Sequence, residues 1–480
     1  MTNSNIRVRI APSPSGYLHV GTARTAIFNF LYARHFDGKF LTRVEDTDVE
    51  RSDPKLVEAI IDALKWLSIE SDEKIVYQSQ RKDIYRTYAQ NILNSGHGYR
   101  CFCTPEELEA DRTQARQEKR PPRYSRKCLK LSDAEIKTKL DGGMTFATRL
   151  KIPDGETSYN DMVLGEIKRQ NNEIEDFIIA RSDGTATYNL AVVVDDYEMK
   201  ISHVIRGNDH ITNTFKQIHI YRALGWEAPE FGHVPLLLRP DKKKVSKRLG
   251  DKDVMEYADE GVLPEAMFNY LCMLGWSPKT DQEIYTPKEL IDIFNPANFN
   301  TSNAVFDEDK LIAFNKQHIM MKSAEELAPQ VSELLGKTVG SNGQIKPDSI
   351  YLLRIIDALK ERVRRMSDFA SLSNYFFTDD YTYDPEAEQK QFVKDNAVLL
   401  SELADKLDVL KTFDKKSAET ALSALAETKG VKRGQLIHPT RLAVSGMTVG
   451  PGLYDILEIL GKEKTIGRIR RAVDYIKANS

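Results

Sequence analysis

Cysteine is scarce in this chain: four residues, Cys101, Cys103, Cys128 and Cys272, stand among 480. That is far too few for a disulfide framework and excludes the small stapled secreted classes. Uninterrupted apolar stretches of the eighteen or so residues that a membrane span needs are also missing. The opening MTNSNIRVRIAPSPSG has no apolar block of the kind that marks a secretory signal. We therefore expect a cytoplasmic protein with no membrane partner. A strong net charge is absent too: at −3 the chain offers no global attraction to a polyanion, so any contact with nucleic acid has to come from local patches. No Walker pattern and no internal repeat is present.

What remains is ordinary globular material, 41% hydrophobic and 29% charged, in a chain too long for one core. Three to five modules are expected. Basic patches do occur. From Asp111 to Lys130 eight basic residues face two acidic ones, and from Arg239 to Arg248 six face one. Taken singly, such runs are as readily solvated loops and helix faces as binding surfaces.

Ile6 to Ala11 alternates with the period of a strand, and Pro12-Ser13-Pro14-Ser15-Gly16 then forbids both strand and helix. Ala26, Ile27, Phe30, Leu31 and Ala33 recur at helical spacing. A second strand, Lys39 to Val44, runs into the acidic cluster Glu45-Asp46-Thr47-Asp48, and a helix from Pro54 to Leu67 follows. Strand–helix–strand–helix order predicts a parallel sheet with crossover helices and ligands at the carboxyl ends of its strands. The alternation breaks near Tyr99, which predicts an insertion. Parallel-sheet material is expected to resume with two apolar strands, Leu190 to Asp196 and Ile201 to Arg206. From Tyr351 the spacing of Leu352, Ile355, Ile356, Leu359 and Val363, then of Leu399, Leu400, Leu403, Leu407 and Leu410, predicts a helix bundle.

Two constellations could carry chemistry. Ser13 to Thr22, containing His19 and Gly21, lies between the first strand and the first helix, where unpaired N–H groups and the helix dipole favour a phosphate. A plain tight turn capped by a histidine accounts for the same residues. Asp241 to Gly250 is a basic loop whose ammonium groups could close over a triphosphate.

Together they carry a resemblance. His19-Val20-Gly21-Thr22 resembles the HIGH signature of class I aminoacyl-tRNA synthetases, and Lys244-Val245-Ser246-Lys247-Arg248 resembles their KMSKS loop. RIAPSPSG, RVEDTD, TYNL with VVVDD, and VIRGNDH are similar to the glutamyl-tRNA synthetases, over nearly the whole chain. Thr22 departs from the second histidine of HIGH, while Val245 and Arg248 depart from the methionine and last serine of KMSKS.

The resemblance implies a Rossmann-like catalytic core split between 1–100 and 190–250, around an inserted α/β domain at 101–189 that meets the acceptor end of the RNA. It further implies a stem-contact helical domain at 251–325 and a helical anticodon-binding region at 326–480 in two subdomains. ATP with magnesium would be held by His19, Gly21, Asp209, Lys244, Ser246 and Lys247, with His19, Lys244 and Lys247 serving catalysis. Arg9, Ala11, Ser13, Glu45, Tyr188 and Arg206 would line a glutamate pocket. The chemistry agrees, since a ligand with two carboxylates and one ammonium calls for two cations and one anion.

Cys101, Cys103, Tyr124 and Cys128 are similar to the zinc site of some members, with Lys130 where some relatives carry histidine. Cys272 is expected in the core. The implied activity is activation of L-glutamate and its transfer to tRNA(Glu) by a monomeric enzyme. A form that also charges tRNA(Gln), or a catalytically idle RNA-binding paralogue, are the alternatives the residues leave open.

Overall fold

The structure is a computed structural model that describes residues 6–47, 53–119, 123–245, 251–338, 346 and 348–479. Strand β1 (Arg7–Ile10) pairs in parallel with β2 (Lys39–Val44), which pairs with β3 (Val76–Tyr77). Helix α1 (Val20–His35) makes the crossover between the first two strands and is buried along most of its length. Gly38 closes the turn from α1 into β2. A Cβ there would stand 2.6 Å from the Ile6 carbonyl oxygen, to which the Lys39 N–H donates at 2.8 Å. Helix α2 (Pro54–Trp66) starts as its sequence dictates, with proline in the first turn and the Asp53 side chain accepting from the Lys55 N–H.

The stretch where the alternation is expected to break follows. Helix α3 (Lys82–Asn94) leads to β4 (Gly98–Cys101), helices α4 (Pro105–Gln117) and α5 (Asp133–Asp141), and strand β5 (Ala147–Leu150). Both helices open on capping boxes, Thr104 with Glu107 and Ser132 with Glu135. Strands β4 and β5 form an antiparallel sheet with β8 (Ile178–Ala180). Between β5 and β8 lies a hairpin, β6 (Glu156–Asp161) and β7 (Gly165–Gln170), that belongs to a different sheet. Its β6 pairs with β10 (Glu230–Val234), and β10 pairs in parallel with β9 (His203–Gly207). The stretch 101–189 thus contributes to two sheets.

One expected strand is a helix. Leu190 to Asp196 lies within α6 (Tyr188–Glu198), with every residue from Leu190 to Asp196 buried. A helix enclosed on all sides has no polar face, so its apolar run shows no helical period and reads like a buried strand. The second expected strand is present as β9. The Ser202 N–H donates to the Arg7 carbonyl (2.9 Å) and the Arg7 N–H to Ser202 Oγ (2.8 Å), which sets β9 beside β1. Helix α7 (Ile211–Leu224) then crosses from β9 to β10. The carboxyl ends of β1 and β9 flank the crevice where parallel sheets of this kind take their ligands.

The chain divides into two compact units, 1–257 with 267–308 and 258–266 with 309–480. In the second, the expected helices form: Ile350–Leu359 buries Leu352, Ile355, Ile356 and Leu359, and Lys394–Asp408 buries Leu400, Leu403 and Leu407. The buried Arg468 of the last helix, Lys462–Asn479, is satisfied by Asp379 and by the carbonyls of Tyr375, Thr378 and Val444.

Replacing Gly38 with alanine drives a methyl group into the Ile6 carbonyl oxygen and into the Cβ and Cγ2 of the same β-branched residue, none of which is the free end of a flexible side chain. We predict that Gly38→Ala costs about 2 kcal/mol, read as a lower urea midpoint with an unchanged slope.

Candidate active site

A cavity of about 330 Å³ opens at the carboxyl ends of β1 and β9. Arg9, Ala11, Ser13, Glu45, Tyr188 and Arg206 line it, and so do His19, Gly21, Asp209 and Lys244. Ser246 and Lys247 lie outside the described residues.

The local sequence explains why these groups converge. The prolines after β1 end the strand and turn the chain, and His19 caps α1 with its ring. Its Nδ1 accepts from the N–H groups of Gly21 (3.1 Å) and Thr22 (3.3 Å). With Nδ1 an acceptor, the ring proton sits on Nε2, 3.1 Å from Thr22 Oγ1. Thr22 therefore serves His19 where a second histidine was missing from the motif. A Cβ on Gly21 would stand 3.1 Å from two atoms of this ring, so the glycine clears space for the imidazole.

Across the cavity, Val245 is buried and its N–H donates to the Leu237 carbonyl (3.1 Å). This anchors the basic loop at its apolar position. Lys244 Nζ lies 2.6 Å from Asp209 Oδ2. Burial works against the Asp209 charge, but the Lys244 ammonium outweighs it and holds the carboxyl below its ordinary value. Gly207 allows this placement, since a Cβ there would stand 2.6 Å from Asp209 Oδ1.

The inner wall is a buried network of charges. Arg9 donates from Nε and Nη2 to the two oxygens of Asp196 (3.0 and 3.3 Å). Arg43, fully buried, donates to Asp196 (2.6 Å) and to Glu45 (3.3 Å), and lies 3.7 Å from Asp195. Asp195 also accepts from Gln78, Arg81 and Tyr85 at 2.7 to 2.8 Å. Burial would raise the Asp196 carboxyl, yet Arg43 and Arg9 overcome it and keep the group below its usual value. Glu45 responds in the opposite sense: burial dominates and leaves its carboxyl raised despite the same two arginines. Burial, reinforced by Glu45, pushes the Tyr188 phenol up to about 12, so it presents a neutral O–H. Arg206 is buried, and among the described residues no carboxylate lies in its hydrogen-bond shell and its Nη1 has no hydrogen-bond partner.

Sequence reasoning missed Arg43, Asp195, Asp196 and Arg24. Arg24 reaches into the cavity wall and is held by the carbonyls of Leu274 and Pro235, and burial lowers its guanidinium to about 10. A signal for the two aspartates was present: paired carboxylates at the end of an apolar run must meet cations if the run is buried.

The cysteine cluster also assembles. The sulfurs of Cys101, Cys103 and Cys128 lie within 4.8 Å of one another. Tyr124 OH is 3.6 Å from Cys101 Sγ and 3.4 Å from Cys103 Sγ. Arg149 stands 3.8 Å over the Tyr124 ring. Burial raises Cys103 to about 12, whereas Arg149 brings Cys101 below its ordinary value against the same effect. The three sulfurs are close enough together that one metal ion could touch all of them, and thiolates suit zinc. Cys272 is buried away from this cluster, in the core.

The fold, the capping histidine and the basic loop define the class: a match to the family of class I tRNA synthetases (E and Q), catalytic domain, covers residues 5–313, and a match to an anticodon binding domain covers 322–473. The glutamate–tRNA ligase of Thermodesulfovibrio yellowstonii is 46% identical over 98% of this chain and 99% of its own length. That of Coprothermobacter proteolyticus is 47% identical over 98% and 99%. A crystal structure of a glutamate tRNA ligase from Elizabethkingia meningosepticum, in complex with its amino acid, superimposes with a TM-score of 0.89 at 33% identity, covering 98% of this chain and 100% of that one. The chain belongs to the glutamate–tRNA ligase family.

Asparagine at 196 would leave Arg9 and Arg43 facing a neutral group inside the protein. We predict that Asp196→Asn lowers stability by about 3 kcal/mol at neutral pH. Because the folded-state carboxyl is depressed, this contribution is complete above about pH 4 and is lost as pH falls through the depressed value. Urea midpoints of wild type and variant should therefore differ by a constant amount from pH 8 to about pH 5 and converge in stronger acid.

Proposed function

We propose that the protein is a glutamyl-tRNA synthetase that activates L-glutamate with ATP and transfers it to the terminal adenosine of tRNA(Glu), acting as a cytoplasmic monomer. The observation that carries this is the single cavity in which Arg9, Arg206 and Glu45 face His19, Asp209 and Lys244. In this reading Glu45 receives the α-ammonium, Arg9 the side-chain carboxylate and Arg206 the α-carboxylate. Ala11 and Ser13 shape the same wall, and Tyr188 donates its O–H.

A carboxylate oxygen of glutamate attacks the α-phosphorus of ATP and pyrophosphate leaves. A ribose hydroxyl of the RNA then attacks the acyl carbon and AMP leaves. Catalysis is mainly positioning and charge neutralisation. His19 Nε2 donates to phosphate as charge develops, with the N–H groups at the start of α1 around Gly21. Lys244, Ser246 and Lys247 supply the ammonium groups and hydroxyl of the basic loop, and magnesium arrives with ATP. Lys244 cannot serve phosphate while it is paired with Asp209, so ATP exchanges the partners: phosphate takes the ammonium, and the freed Asp209 carboxylate accepts from the ribose. The region around 101–189 would meet the acceptor end, 251–325 the stem, and the helical region from 326 the anticodon, where unstacked bases can be read. The anticodon-domain match supports the last of these.

Purified protein with ATP, magnesium and glutamate should charge tRNA(Glu). Charging of tRNA(Gln) in the same assay would extend the reading to both RNAs, and charging of neither would end it.

Zinc is the second element of the proposal, held by Cys101, Cys103, Cys128 and Tyr124. It would staple a small sheet with little core of its own, around Tyr99, Cys101, Tyr124 and Cys128. Elemental analysis should find one zinc per chain, and Cys128→Ser should abolish it. A metal-free wild type purified without chelator would refute the assignment.

A further inference from the structure

Arg9 and Arg206 lie in one cavity but are held in opposite ways. Arg9 is neutralised by Asp196 through two hydrogen bonds. Arg206 is equally buried, yet its Nη2 donates to Thr214 Oγ1 (2.8 Å) and Gln217 Oε1 (2.7 Å), and its Nε to His233 Nε2 (3.3 Å). All three acceptors are uncharged when the histidine is neutral. Nη1 has no hydrogen-bond partner among the described residues.

The state of His233 decides whether this arrangement works. Its Nδ1 lies 2.5 Å from Asp161 Oδ2, both side chains being fully buried. The Asp161 carboxylate is itself fixed, because Oδ1 accepts from the N–H groups of Val163 and Leu164 (3.0 Å each) and His233 (3.2 Å). An ionised carboxylate can only accept, so the imidazole proton must sit on Nδ1 and Nε2 must be an acceptor. Nε2 receives the Thr214 hydroxyl (2.9 Å) together with Arg206 Nε. In the other tautomer, Nε2 would point a proton at a guanidinium.

We propose that Asp161 and His233 are positioning residues for glutamate binding: by locking the His233 tautomer they hold Arg206 through neutral acceptors and keep its charge available for a substrate carboxylate. Burial lowers the basicity of His233 although Asp161 opposes this, which favours the neutral ring. Asp161 stands on β6, the strand that joins β10 from within the 101–189 stretch, so this hairpin has a part in the amino-acid pocket. The inference rests on Arg206 being a carboxylate receptor.

The test is ATP–pyrophosphate exchange by the full chain with tRNA(Glu), with KM measured separately for glutamate and for ATP. His233→Phe removes the acceptor, and Asp161→Asn releases the tautomer. Each should raise the glutamate KM about tenfold, the worth of one hydrogen bond to a charged group. The ATP KM should stay within about twofold. His233→Gln, whose amide can donate to Asp161 and accept from Arg206, should restore most of the glutamate affinity. Equal losses for the phenylalanine and glutamine variants, or parallel rises in both KM values, would overturn the proposal.

Arg206→Ala separates the two levels. If it leaves the glutamate KM unchanged, the carboxylate-receptor reading fails. If it raises that KM while His233→Phe does not, the positioning role alone fails. Nitrogen-15 spectra of histidine-labelled wild type decide the matter should a variant not fold, since a proton on Nε2 at neutral pH would overturn the proposal directly.

Discussion

Two guanidinium groups converge on one buried carboxylate, that of Asp196, and the site is organised around that point. Arg9 reaches it from β1, Arg43 from β2, and Asp196 itself stands on α6, more than 150 positions further along the chain. Three segments far apart in sequence are thereby held in one relation at the mouth of the sheet. Charges so deeply buried are favourable only when paired and hydrogen-bonded, so the network enforces its own geometry: withdrawing any member leaves another uncompensated. Asp195, beside it, fastens Gln78, Arg81 and Tyr85 to the same helix. The helix gains as well, because carboxylates toward its carboxyl end, which its dipole disfavours, meet arginines there.

Much of the site was legible in the sequence because its parts sit where local chemistry is unambiguous. Prolines must end β1, a histidine can cap α1, and a strand that runs into a cluster of acids places Glu45 at a carboxyl end. The pairing of these local features across the fold was not legible. Nothing local to Asp196 says that it faces Arg9, and nothing local to Lys244 says that it rests on Asp209. Such contacts span 187 and 35 positions and are fixed by sheet order, which depends on how the long stretch between β3 and β9 returns.

The misread segment illustrates the same limit. Leu190 to Asp196 carries valines that suit a strand, and its burial removes the polar face that would mark a helix. The deciding features lie outside the run. Thr187 adopts the extended conformation of a helix cap, and α6 packs against helices α3 and α7 as well as strand β8. Tertiary surroundings overrode local preference where the protein needed two adjacent carboxylates on one rigid element. A strand would have sent Asp195 and Asp196 to opposite faces of a sheet. On the helix both turn toward the arginines.

The balance of charge around the cavity follows from this. Arg9, Arg43 and Arg81 are matched by Asp195, Asp196 and Glu45, and Lys244 is matched by Asp209. Among the described residues Arg206 has neutral hydrogen-bond partners, so no carboxylate binds it directly, although Asp196 and Glu45 act on its charge from a distance. An amino acid with two carboxylates and one ammonium carries a net charge of the opposite sign and completes the set. A ligand with a neutral side chain would leave the set one negative charge short, and uncompensated charge inside a protein is costly. If Arg9 and Arg206 receive the two carboxylates as proposed, the preference for an acidic ligand rests on the charge balance of the whole cavity rather than on either arginine alone.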